Sequence, residues 1–501
     1  MYIIKAIIFE LLIINAYGEL TIADIVLPKD PNTLFLEKLR NGEINFEKDI
    51  QLGLGFNLSE IFNIGEIFQN NNPTDYFQEK LKNGKLQLPP NFGLDIYKFL
   101  KNYGYPVETH WVQTEDGYVL RMHRVAGRNG TKGYMAKRDR PAVLFVHGLA
   151  SSSFHWVVAG PNKSLALQLA DQGFDVWLGN TRGNTWSRQH ITLNPDIDHE
   201  AFWQFSYEQC GQYDLPAKID YIIAKTGQQK IFYVGHSQGT SIFFAMAALR
   251  PEYNDKIALF TAFAPVVYLK HMSSPMYRFL VKYMDKVEVL IKNIYELMSY
   301  NWLSARIQGL LCLEEPFSQF CLMERFFLSG FDPYQVDQTQ IALETAQSPN
   351  GISKNMLLHF GQNIRSGFFQ RFDYGPELNQ KLYQSSIPPN FTLSHVTVPT
   401  ALYYAQNDLF VPVKAVEQLT KELPNVVKSK LISFKYFNHM DFVNAVDVNK
   451  LVNNDAISLI KTYVDNGGTT TPAPPPGNSP AAAIKFNYGC ILMIILLALY
   501  S

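Results

Sequence analysis

The stretch from Lys230 to Met246 limits what this chain can fold into more than any other. Four β-prone residues, Ile231 to Val234, run into Gly235-His236-Ser237-Gln238-Gly239, and an apolar, helix-compatible run follows at once. A G-x-S-x-G turn needs glycine at both places, because the serine sits on a strained elbow where strand and helix backbones pass closely. Ser237 is thereby held out at the top of a sheet and is a candidate nucleophile. The same turn aims the backbone N–H of Gln238, at the helix start, toward the place where an oxyanion would form.

The rest of the chain supplies a sheet for that elbow. Val107 to Thr114 and Tyr118 to Arg124 read as strands joined by the turn Glu115-Asp116-Gly117. Pro141 to Val146 is a short, continuously apolar run, as expected of a strand buried on both faces, and it stops at His147-Gly148-Leu149. Helix-like Leu165 to Asp171, strand-like Phe174 to Leu178, helix-like Leu215 to Lys225 and the nucleophile strand then alternate. This alternation predicts an α/β fold, a mostly parallel, doubly wound sheet. After a further strand at Lys256 to Pro265 the alternation lapses over about 266–397, a helical interval rich in Met, Phe, Tyr and Leu. It reads as an insertion over one end of the sheet, with plain core of a larger domain as the alternative. Strands resume at Val398 to Ala405, ending in Gln406-Asn407-Asp408, and at Lys430 to Phe437, ending in Asn438-His439.

A serine hydroxyl at neutral pH needs a base to take its proton, and the base needs a third group to fix its tautomer and steady its charge. In α/β-hydrolases these follow in the order Ser, Asp or Glu, His, each in a loop after a strand. Asp408 and His439 fit that order. Of the eleven histidines, His439 alone directly follows a strand in the C-terminal half of the sheet, whereas His359 and His395 lie in or beside the insertion. Asp441, two residues from His439, is a poor partner for its ring. A surface Asp and a core His are the plain alternative to a catalytic pair.

Composition bounds the remainder. The 501 residues carry 44 basic and 45 acidic side chains, which leaves no electrostatic footprint for nucleic acid. No Cys or His group has metal-ligand spacing, and no cofactor is expected. Cys312 and Cys321 lie nine apart, close enough to close one short loop in an oxidising compartment, and Cys210 reads as a buried apolar residue.

Met1 to Gly18 has the build of a signal peptide, with Lys5, an Ile/Leu-rich core interrupted by Glu10, and small residues at Ala16 and Gly18. Sequons at Asn57, Asn129, Asn162 and Asn390 suit glycosylation in the secretory pathway. Residues 19–90 form a helical N-terminal appendage with a weak repeat: the stretch from Asp30 to Gly42 is echoed from Asn72 to Gly84, each copy with an N-cap, Pro and a terminal Asn-Gly. At the other end, residues 466–483 are a Thr/Pro-rich stalk, and the apolar run from Tyr488 to Tyr500, which contains Cys490, closes the chain. A spanning helix wants about 20 apolar residues and basic flanks, so a GPI-attachment signal is expected, with a marginal membrane span as the alternative.

The long block Gly173 to His190, with His147-Gly-Leu, Phe202 to Tyr207, Tyr213-Asp-Leu-Pro-Ala, Gly235-His-Ser-Gln-Gly-Thr and His439-Met-Asp-Phe, resembles the acid lipase family of gastric and lysosomal acid lipases. The resemblance covers roughly Asn91 to Val464 and departs at Ala150, where relatives usually carry a second Leu. It implies Ser237 as nucleophile, Asp408 as orienting acid, His439 as base, and the N–H groups of Leu149 and Gln238 as oxyanion hole. It also implies a Cys312–Cys321 disulfide inside a mobile lid. The implied activity is ester hydrolysis on neutral lipid, triacylglycerol or sterol ester, at a lipid–water interface. The expected setting is extracellular or the outer face of the cell membrane, with the lysosome as alternative. The rival from another class is an inactive relative that binds or transfers lipid.

Overall fold

A computed structural model of the protein describes residues 79–466, apart from 81, 126, 129–139 and 316. The signal-peptide reading, most of the N-terminal appendage, Asn57, Asn129, Cys490, the stalk and the C-terminal apolar run lie outside the described residues.

Eight strands make one sheet in the order β1-β2-β4-β3-β5-β6-β9-β10. They are β1 (Val107–Gln113), β2 (Val119–Val125), β3 (Ala142–Val146), β4 (Asp175–Gly179), β5 (Ile231–His236), β6 (Ile257–Phe263), β9 (Thr400–Tyr404) and β10 (Val426–Leu431). β1 and β2 form an antiparallel hairpin, β2 joins β4 antiparallel, and every pairing from β4 to β10 is parallel. The alternation of buried strand and helix in the sequence therefore does produce an α/β-hydrolase sheet. Helices α1 (Ile96–Asn102), α2 (Leu165–Asp171), α3 (Leu215–Thr226) and α4 (Gln238–Leu249) belong to its first half.

The central strands are buried at every position, which is why they read as unbroken apolar runs. α4 is buried from Gln238 to Ala248, with Phe243 stacked on Phe260 of β6 at 3.9 Å between ring centroids. Each such fully buried apolar side chain contributes about 1.5–3 kcal/mol, so the helix behind the elbow is fixed by its own packing.

Between β6 and β9 the chain leaves the sheet and returns to the adjacent position. Phe260 to Phe263 pair directly with Thr400 to Tyr403. The excursion is helical: α5 (Pro275–Lys282), α6 (Met284–Leu290), α7 (Trp302–Leu311), α8 (Phe317–Ser329), α9 (Gln338–Thr345), α10 (Lys354–Ser366) and α11 (Pro376–Tyr383). A two-stranded ladder, β7 (Glu296–Leu297) with β8 (Ile352–Ser353), is its one piece of sheet among the described residues. Lys80 pairs with Glu314 of this region, and Leu86 and Phe92 are buried in the main core.

The last strand differs from its sequence reading. β10 is Val426–Leu431, and the run Ile432 to Phe437 that follows is a loop in which Ile432 and Phe437 are buried. β10 lies at the sheet edge, so it alternates half-buried with exposed residues, and Lys428 and Lys430 reach Asp455 at 2.7 and 3.5 Å. An edge strand is amphipathic, whereas the more apolar segment beside it packs down as a loop.

Candidate active site

The elbow is set by sterics. Ser237 has φ 54° and ψ −121°, a conformation an L residue adopts only when its surroundings force it. A Cβ on Gly239 would lie 2.3 Å from the carbonyl oxygen of Val146, and one on Gly235 would lie 2.9 Å from the backbone of Gly239. Gly239 is required for strand β3 and helix α4 to pass this closely, and Gly235 for β5 to turn into α4. The Ser237 N–H donates to Phe263 O at 3.0 Å, and its carbonyl accepts from the Thr240 hydroxyl at 2.6 Å.

The predicted partners meet at Ser237. His439 Nε2 lies 2.8 Å from Ser237 Oγ, and His439 Nδ1 lies 2.8 Å from Asp408 Oδ2. The other Asp408 oxygen, Oδ1, accepts from the N–H groups of Phe410 at 2.8 Å and Val411 at 2.9 Å, which fixes the carboxylate in its turn. Held at Nδ1 by the carboxylate, the imidazole keeps Nε2 free to accept the serine proton. Asp408 and His439 are both buried, so water does not compete for these bonds.

The weighed alternatives fall elsewhere. His359 bonds Ser206 Oγ and Gln370 O and stacks on Tyr207 at 4.0 Å. His395 reaches Ala248 O at 3.2 Å. Asp441 accepts the N–H of Asn438 at 2.7 Å, while both ring nitrogens of His439 are taken by Asp408 and Ser237.

Leu149 follows Gly148, whose Cβ position would be 3.2 Å from Ser237 Cβ and 3.6 Å from Oγ, so this loop runs alongside the nucleophile. Gln238 is the first residue of α4, and its side-chain amide reaches Met356 Sδ at 3.4 Å. Ala150 has φ 54° and its carbonyl accepts from Asn350 N–H at 3.0 Å, tying the loop to the helical excursion. Cys312 and Cys321 are bonded as a disulfide, linking the end of α7 to α8. Cys210 is buried and free, its thiol pushed well up by burial. Asn162 and Asn390 are exposed.

Three features escaped the sequence reading. His236, inside the elbow, donates from Nε2 to the carbonyl of His439 at 2.9 Å, and burial holds its own ring well below the usual imidazole range and therefore neutral. The second is Arg182. Nε bonds Asp214 at 2.7 Å, its two terminal nitrogens bond Asp116 at 2.6 and 2.9 Å, and the guanidinium lies 4.0 Å over the Tyr118 ring. The third is the segment Ser329–Gln335, which runs from the last residue of α8 toward α9. Ser329 O accepts from Leu409 N–H at 3.3 Å and His439 N–H at 3.4 Å. Gly330 O accepts from Asn438 Nδ2 at 3.0 Å, and Phe331 O from Asn407 Nδ2 at 2.9 Å. It is a strap across the two loops that carry the acid and the base. The Gly330-Phe331-Asp332-Pro333 punctuation after a helical run was its one sequence signal.

Residues 141–445 match the family model described as alpha/beta hydrolase fold, and residues 96–160 match a partial alpha/beta-hydrolase lipase region. Lipase member K of Mus musculus is 38% identical, over 75% of this chain and 93% of its own length. Gastric triacylglycerol lipase of Homo sapiens is 36% identical over 74% and 92%, and lysosomal acid lipase/cholesteryl ester hydrolase of Macaca fascicularis 35% over 75% and 92%. The chain belongs to the acid lipase family. Within this acid lipase the matched region takes in the whole sheet core from β3, the elbow, and both loops that meet at His439. Among the described residues, no helix of the lipase is long and apolar enough to cross a membrane.

Proposed function

We propose that the protein hydrolyses esters of water-insoluble neutral lipids, triacylglycerol or sterol ester, through an acyl-enzyme on Ser237. The observation that carries this is the continuous Asp408–His439–Ser237 hydrogen-bonded relay, with both links at 2.8 Å. In the first half-reaction His439 Nε2 takes the Ser237 proton while Oγ bonds to the ester carbonyl carbon. The carbonyl oxygen becomes an oxyanion facing the N–H groups of Leu149 and Gln238. The intermediate then collapses, His439 returns the proton to the departing alcohol, and the acyl group remains on Oγ. Water, deprotonated by the same nitrogen, repeats the sequence and releases the fatty acid.

The relatives' names, gastric triacylglycerol lipase and lysosomal acid lipase/cholesteryl ester hydrolase, support neutral lipid as the substrate class. The helical excursion acts as a lid that covers an acyl groove in water and uncovers it at a lipid surface. The enzyme is glycosylated, enters the secretory pathway and works outside the cell or in a lumen, tethered through the stalk by a GPI anchor that replaces the C-terminal apolar run.

The deciding experiment compares wild type with Ser237→Ala on emulsified triolein and cholesteryl oleate at several pH values, with a fluorophosphonate probe as site label. Turnover on order 10⁶-fold lower in the variant, and labelling confined to Ser237, is expected. Wild-type protein that neither turns over ester nor takes the label would move the reading to lipid binding or transfer. For the tether, phosphatidylinositol-specific phospholipase C should release the enzyme from intact cells, and a mature protein that retains residues 488–501 would sink the anchor.

A further inference from the structure

The strap is closed by two carboxyls. Asp332, on the strap, and Asp441, two residues past His439, are both buried and neighbour each other within hydrogen-bonding reach. The remaining oxygens are occupied by backbone. Asp332 Oδ1 accepts from Tyr334 N–H at 3.0 Å and Gln335 N–H at 3.2 Å, and Asp441 Oδ2 accepts from Asn438 N–H at 2.7 Å. Asp332 Oδ2 and Asp441 Oδ1 are buried and accept from no N–H or O–H group among the described residues. Two carboxylate oxygens both accept, so a bond between them needs a proton.

We propose that Asp332 and Asp441 share one proton that latches the strap onto the His439 loop, and that ionisation of the pair misaligns the base and shuts down turnover. The two residues are positioning residues of the hydrolytic reaction. When the shared proton leaves to solvent, two anions confront each other without water, and the cheapest relief is for the strap to part from the loop. Ser329 O then loses His439 N–H and Gly330 O loses Asn438, the contacts that hold the base against Ser237.

The surroundings have been arranged to keep that proton. Arg325 of α8 is the cation that faces the pair, and it is already engaged by Glu344 of α9 at 3.2 Å and by Asn444 Oδ1 at 2.5 Å. Glu344 also binds His155 at 3.1 Å. Burial would raise the Glu344 carboxyl, but these partners hold it down at about 2, so it stays an anion that offsets Arg325. Asp447 approaches from beyond the His439 loop and is held by Gln335 Nε2 at 3.1 Å. His236, behind His439, is neutral. Burial pushes both Asp332 and Asp441 up, with Arg325 pulling Asp441 partly back.

The direction follows. The folded protein holds a proton that the unfolded chain has already released above the ordinary carboxylate range. Folding therefore takes up a proton in that window, and stability falls as pH rises through it until the folded pair has ionised. A Ser–His–Asp relay alone gives only an acid limb, where the imidazole is protonated. The pair adds an alkaline limb.

The test rests on the hydrolase reading for its rates and on stability for its independence from that reading. Asp332→Asn replaces the shared proton by an amide N–H that donates to Asp441 at every pH, and Asp441→Asn is the mirror variant. Background-corrected kcat/KM on p-nitrophenyl butyrate is measured from pH 4 to 9 with the intact enzyme. The wild type is expected to lose about tenfold or more along the alkaline limb, and Asp332→Asn less than about twofold, because each pH unit above the pair's ionisation costs a factor of ten. Melting temperatures over the same range should fall with pH in the wild type and stay flatter in both variants. An unchanged alkaline limb in well-folded Asp332→Asn, or parallel wild-type and variant melting curves, overturns the latch. Absence of turnover in every protein defeats the hydrolase reading, while the melting series still decides the latch.

Discussion

Gly330 is the position where a single methyl group should do most damage to the active site without touching it. Its φ is +124°, and a Cβ there would lie 2.1 Å from the carbonyl oxygen of Asn407, the residue before Asp408. Carbon–oxygen contacts settle at about 3.3 Å, so either the strap or the acid loop must yield by about 1 Å. Forcing an L residue into this backbone region adds strain of about 1–3 kcal/mol. A displacement of about 1 Å at a catalytic group costs about 10²-fold in rate. Gly330→Ala is therefore expected to lower kcat about 100-fold and to destabilise the fold by about 2–4 kcal/mol. The assay is kcat on a soluble ester, normalised to sites counted by fluorophosphonate labelling, with a thermal melt on the same sample. Gly375→Ala is the control, since Gly375 also has a positive φ of +86° but nothing within 4 Å of its Cβ position. It should cost about 1 kcal/mol of stability and leave kcat alone. Gly330→Ala with kcat within about threefold of wild type would refute the reasoning, because the acid loop would then tolerate a shift that positional catalysis forbids.

Other outcomes follow from geometry already described. Arg182→Met removes the buried cation that pairs with buried Asp214 and half-buried Asp116 and should cost about 3–5 kcal/mol in denaturant unfolding. The double variant Cys312→Ser/Cys321→Ser opens a short loop and should lose roughly 2.5–3 kcal/mol, read as a lower melting temperature under non-reducing conditions. Asp408→Asn should lower kcat about 10⁴-fold with the fold intact, since the imidazole then loses the acceptor that selects its tautomer. A rate within about tenfold of wild type would remove Asp408 from the relay.

The elbow, the sheet and the relay were legible because each is encoded locally. Ile231 to Gly239 carry their own strand, turn and helix, and Asp408 and His439 sit in loops whose convergence the parallel topology guarantees. β10 was misplaced because its lysines are satisfied by Asp455, on a helix that follows His439 in the chain, and edge amphipathicity looks like loop when that partner is unseen. Arg182 lies inside the block that carried the family resemblance, yet its carboxylate partners come from a hairpin turn and from the start of α3, so its burial could not be read from neighbours in sequence. Asp441 was correctly set aside as a partner for the His439 ring, but its contact with Asp332 crosses 109 positions and depends on a helical excursion whose path no periodicity specifies.

The return of the excursion to the strand beside the one it left has a mechanical consequence. Such an insertion could pivot freely about its two ends without disturbing the sheet. Here a third anchor intervenes, since residues 329–335 grip both loops that carry the acid and the base. Any swing wide enough to admit a lipid and yet leave the enzyme competent must find its fulcrum on the N-terminal side of Ser329 or beyond Gln335. If the excursion moves as a lid, the fixed stretch divides its helices into a part free to travel and a wall for it to travel against.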